Sequence, residues 1–131
     1  MPQNLTGRVR HIVISKGTEM LRIPTHALVF IEADGNYSNV YTLDGKSQMV
    51  SFQLGQLEDK IGDQLGEDGS RFIRLGRGYI INMDYVHLID ISRKRLVLSD
   101  CMNFYRELEP SREVLVKLKA YLDARIEDER Q

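Results

Sequence analysis

With a single cysteine, Cys101, the chain can close no internal disulfide, a composition that suits a reducing compartment. Long apolar runs are missing too. The longest, such as Ala27 to Ile31, fall far short of the roughly 20 residues that a membrane helix requires. The N-terminal MPQNLTGRVR holds no apolar segment ahead of a small-residue cleavage site, so no secretory signal is expected and the cytoplasm is the expected location. Nor is there an excess of charge, because a net charge of -1 excludes a generally polybasic nucleic-acid binder.

Catalytic equipment is equally sparse. His11, His26 and His87 are scattered, and none shares a short ligand motif with another His, Cys or Asp. Cys101 has no neighbour in sequence that would serve as its base, so it reads as a structural thiol. GRGYII resembles a phosphate loop only superficially, since Ile81 stands at the third glycine position and no Lys-Ser/Thr pair follows. DGNYSN lacks the later glutamate of a calcium loop. The expectation is a protein with no catalytic residue, metal, cofactor or small-molecule substrate.

What is present suits one compact domain: 131 residues, 42% hydrophobic and 28% charged. Most of the chain alternates apolar and polar residues with β-branched or aromatic side chains, the pattern of short strands. LVFIEA, YSNVYTL and the stretch from Lys46 are separated by DGN and by Asp44-Gly45, which predicts three strands over 28–33, 37–43 and 46–51 in an antiparallel meander. The period then changes. Leu54, Leu57, Ile61 and Leu65 predict a helix near 52–65 with Ser51 as its N-cap. YVHLIDI and LVLS predict a hairpin about SRKR. Leu115, Leu118, Leu122 and Ile126 predict a C-terminal helix near 111–127. The fold class is mostly β, with small antiparallel sheets and two helices.

Charge is local rather than global. Residues 71–95 carry Arg71, Arg74, Arg77, Arg93, Lys94 and Arg95 against Asp84 and Asp90, a local excess of four positive charges. Three of these lie within SRFIRLGRGYIIN, where Gly76 and Gly78 flank Arg77. On a short helix Arg74 and Arg77 would project the same way, and the glycines would let the backbone approach a large partner. A planar guanidinium fork suits phosphate oxygens and the guanine edge, which makes nucleic acid the leading partner class.

The blocks VFIEADGNYSNVYTLDGK, FQLGQLEDKI, FIRLGRGYIINMDYVHLI and LVLSD, in this order and spacing, resemble the LytTR family of DNA-binding output domains of bacterial transcription regulators. The likeness spans roughly residues 20–122, leaving 1–19 as an N-terminal strand or extension and 123–131 as an acidic tail. It implies an elongated arrangement of small antiparallel sheets whose loops enter successive major grooves of double-stranded DNA, commonly at paired direct repeats. A homodimer on the DNA is one arrangement that this allows. By the same resemblance the first contact loop falls at Ser38 and Asn39, the second at Arg77 supported by Arg74, and the third at Ser111-Arg112. Ser111 also has the position of an N-cap, and Arg106 is the alternative for the third contact. Lys46, Arg71, Arg93, Lys94 and Arg95 would attract phosphates. The family's usual receiver domain does not fit in this length, and Met1 favours a stand-alone regulator over a fragment. The alternative from another class is a protein-interaction module that uses sheet edges or the C-terminal helix. An RNA-binding sheet would need paired surface aromatics, which are missing.

Overall fold

A computed structural model describes residues 10–130, with side chains as far as Ile126 in the last helix. β1 (His11–Lys16) and β2 (Glu19–Pro24) make one antiparallel hairpin. The expected meander forms as β3 (Leu28–Asp34), β4 (Tyr37–Thr42) and β5 (Ser47–Val50). It is joined by β6 (Phe72–Leu75) and β7 (Tyr79–Asn82) in a five-stranded antiparallel sheet of order β5-β4-β3-β7-β6. A third sheet, of order β10-β9-β8, comprises β8 (Val86–Asp90), β9 (Arg95–Ser99) and β10 (Tyr105–Leu108). Helix α1 (Leu54–Leu65) lies between β5 and β6 in sequence, and α2 (Arg112–Arg130) ends the chain.

The central sheet is covered on both faces, which explains why LVFI in β3 is apolar without alternation. On one face Ile31, Val40 and Ile80 pack with Leu54, Leu57 and Ile61 of α1 and with Ile12, Ile14 and Ile23 of the first hairpin. On the other, Phe30 and Ile81 meet Leu96 and Leu98 of β9, Phe104, and Leu115 and Leu118 of α2. Each such side chain contributes about 1.5–3 kcal/mol on burial. A boundary at residue 20 would fall inside β2, and Ile12 and Ile14 of β1 belong to the core.

Several local expectations change. The N-cap of α1 is Gln53, not Ser51: Gln56 Oε1 accepts the Gln53 backbone N–H at 2.8 Å, while the Ser51 carbonyl accepts from Lys16 Nζ. The last helix continues to Arg130, through most of the stretch expected as a tail. β10 is not predicted by the sequence pattern. It exists because Asp100 Oδ1 accepts the backbone N–H groups of Met102, Asn103 and Phe104 at 3.0, 2.9 and 2.8 Å, which folds the chain back onto β9. These donors, that of Phe104 foremost, hold the Asp100 carboxyl below the usual aspartate range.

Candidate nucleic-acid interface

The arginine segment is a β-hairpin rather than a short helix. Leu75 pairs with Tyr79, so Gly76, Arg77 and Gly78 form the turn, and Gly76 adopts a left-handed φ of +58°. A Cβ at Gly76 would lie 3.4 Å from Val114 Cγ2, in ordinary contact, so it is the backbone conformation that calls for glycine here. Arg77 is exposed at the tip. Arg74 does not project beside it: its Nε donates to the Gly76 carbonyl at 2.8 Å and its Nη1 to Glu58 Oε1 at 3.1 Å.

Register brings the expected contact segments to one end of the central sheet. β3 ends at Asp34 and β4 begins opposite it at Tyr37, while β7 begins at Tyr79 opposite Glu32. The Ala33 N–H donates to the Gly78 carbonyl at 2.8 Å, which ties the β3–β4 turn to the β6–β7 turn. Two strand spacings separate their centres, about 10 Å. Val114 packs against Gly76, so the first turn of α2, with exposed Arg112, reaches the same end. Ser111 Oγ accepts the Val114 N–H at 3.3 Å and serves as that helix's N-cap.

Asn39 stands in a cross-strand row with Glu32 and Tyr79, on the face that carries Tyr41 two residues further along β4. It is half-buried, with Nδ2 3.5 Å from Asp34 Oδ2. Over this face lies Arg106 of β10. Its guanidinium sits 4.7 Å from the Tyr41 ring centre and 5.6 Å from that of Phe30, and those two rings stack 4.2 Å apart. Burial and the neighbouring Glu32 carboxylate push the Tyr79 hydroxyl's pKa up. Arg106 stood only as an alternative in the sequence, because a β10 strand was needed to carry it over this face.

Other expected contacts are placed elsewhere. Ser38 is 0% exposed, and its hydroxyl donates to the Phe52 carbonyl at 2.8 Å, so it cannot meet DNA and the expectation is corrected. Lys46, in the β4–β5 turn, and Arg71, which precedes β6, lie at the opposite end of the sheet from Arg77. Arg93 and Lys94 occupy the β8–β9 turn, at the end of the small sheet where β10 exits toward Ser111.

Ion pairing divides the cations further. Arg71 pairs with Asp84 at 3.5 Å, Arg74 with Glu58 at 3.1 Å, Arg93 with Asp90 at 3.9 Å and Arg95 with Glu107 at 3.0 Å. Arg77, Arg106 and Arg112 make no ion pair among the described residues. No helix among the described residues is long and apolar enough to cross a membrane.

Comparison with known proteins bears on this arrangement. The profile of the family described as the LytTr DNA-binding domain matches residues 18–123. The CO-responsive transcriptional regulator RcoM of Rhodospirillum rubrum is 30% identical over 80 residues, which cover 61% of this chain. The match spans 31% of that relative's length. A solved LytTr DNA-binding domain from Bacillus cereus superposes with a TM-score of 0.58 at 17% identity, over 88% of this chain and 98% of that one. At that identity the likeness speaks for the fold.

Proposed function

Since the chain belongs to the LytTR DNA-binding domain family, we propose that it acts in the cytoplasm as a transcription regulator that binds double-stranded DNA by sequence. The observation that carries this reading is the convergence of Arg77 and Arg112, neither ion-paired among the described residues, on one end of the sheet, beside the face that bears Asn39 and Arg106. The two strand turns lie about 10 Å apart, within the roughly 12 Å width of a major groove. Arg77, Arg112 and Asn39 read base edges, with Arg106 as a fourth candidate held against its aromatic ledge. Lys94 supplies phosphate attraction, together with Arg93, whose loose pairing to Asp90 at 3.9 Å leaves its side chain 75% exposed, while Arg74, Arg95 and Arg71 are engaged within the protein. Paired direct repeats would seat two copies side by side.

Duplexes selected from a random pool test this. Against a selected duplex, Arg77→Ala loses about 1–3 kcal/mol and relaxes discrimination at one position. Lys94→Ala weakens selected and scrambled duplexes alike and lowers the salt slope by about 1. Lys46→Ala, at the far end, changes neither. Failure to enrich any duplex refutes the reading, and an equal loss on both duplexes would make Arg77 a phosphate contact.

A further inference from the structure

We infer that α1 is a strut that sets the spacing and aim of the two contact turns, with Glu58 and Arg74 as its positioning residues at the β6–β7 turn and Gln53 at the β3–β4 turn. The inference rests on the DNA-binding reading for its purpose, and on geometry for its existence. At the start of α1, Gln53 Nε2 donates to Asn36 Oδ1 at 3.0 Å, and the preceding Phe52 carbonyl accepts the buried Ser38 hydroxyl at 2.8 Å. These contacts tie the helix to the β3–β4 turn.

Five residues on, about 7.5 Å along the axis, Glu58 accepts from Arg74 Nη1, and Arg74 Nε holds the Gly76 carbonyl beside Arg77. The guanidinium lies across the first turn of α1, its Nη1 3.8 Å from where a Cβ on Gly55 would stand. The helix is itself immobilised by buried Leu54, Leu57, Ile61 and Leu65. Both turns are therefore referred to one packed body, in addition to the single Ala33–Gly78 hydrogen bond that joins them directly.

The chemistry of the link is specific. Arginine can present Nε to a carbonyl and Nη1 to a carboxylate at once, whereas a lysine ammonium on a flexible stem cannot reproduce that fork. The ion pair has side chains 30% and 52% exposed, so its effect on overall stability is small. Its effect falls on where Arg77 points.

Two conservative variants separate this from simple electrostatics. Glu58→Gln removes a negative charge near the polyanion, so electrostatics alone would raise DNA affinity. A strut predicts a loss instead: the ratio of selected to scrambled duplex affinity falls about five- to tenfold, the lower part of the range for losing a base contact. Arg74→Lys keeps the charge and, if Arg74 is a positioning residue, loses the same ratio without changing the salt slope. In an Arg77→Ala background Glu58→Gln should cost nothing further, because its effect acts through Arg77.

Amide hydrogen exchange without DNA gives an independent readout, in which both variants speed exchange at the Ala33 amide, which donates to the Gly78 carbonyl, while the melting temperature stays within about 2 °C. Unchanged exchange, or a Glu58→Gln variant that keeps or improves discrimination, overturns the strut while leaving DNA binding intact. Faster exchange in a protein that never distinguishes duplexes would overturn the DNA reading and leave the strut standing.

Discussion

Asn82 closes the arginine segment and is 0% exposed. Its Nδ2 donates to the Leu28 carbonyl at 2.9 Å, and its Oδ1 accepts the Asp84 N–H at 3.0 Å, capping the short 3-10 turn Met83–Tyr85. Asn82→Leu keeps the branched heavy-atom skeleton, though its methyl groups are bulkier, and deletes both bonds, orphaning a buried carbonyl and a part-buried amide. Each orphaned group costs about 1–3 kcal/mol. Water can reach the Asp84 amide in part, so the expected loss is about 2–4 kcal/mol. Against a total stability of about 5–15 kcal/mol the variant still folds at 25 °C. For a chain of this size 1 kcal/mol shifts the melting temperature by roughly 3–5 °C, so the midpoint should fall by roughly 6–20 °C. Far-UV circular dichroism on heating, with urea unfolding at unchanged m, measures this. The reasoning is refuted if the midpoint moves by less than about 3 °C.

Gly76→Ala should destabilise by about 1–2 kcal/mol, because the left-handed backbone penalises a side chain. Gly78→Ala, where a Cβ meets open space, is the matched control, and equal melting temperatures for the two would contradict the account. Asp100 gives a pH signature. Its folded carboxyl lies below the ordinary value of 3.8, so its stabilisation is complete above that value and is lost as pH falls through the folded one. Asp44 and Asp90 are shifted in the same direction by their own turn hydrogen bonds. Asp100→Asn should therefore flatten, without abolishing, the fall in melting temperature below about pH 4. An acid profile identical to that of the parent would show that the three backbone donors do not favour the charged form.

Periodicity and turn chemistry alone disclosed the meander, the hairpin about SRKR, both helices and the apolar stripes that face the core, except that Ile126 at the end of the second stripe is 50% exposed, because each depends on residues within a few positions of one another. The order of the motif blocks disclosed the family. Arg71, Arg74 and Arg77 are evenly spaced, and locally only the glycines that flank Arg77 set one apart. Their fates differ because folding brings Asp84 to the first, Glu58 and the Gly76 carbonyl to the second, and, among the described residues, no carboxylate to the third. Ser38 and Asn39 alternate as any strand neighbours do, but which of them is covered depends on Phe52 and α1 lying across one face of β4. Arg106 needed β10, which exists through three hydrogen bonds to one carboxylate oxygen. Local pattern determines which elements form, since backbone propensity and burial are short-range in sequence. Which cations remain free to meet a polyanion is decided by which distant carboxylates and carbonyls the packed fold brings within hydrogen-bonding reach, and that is a property of the tertiary structure.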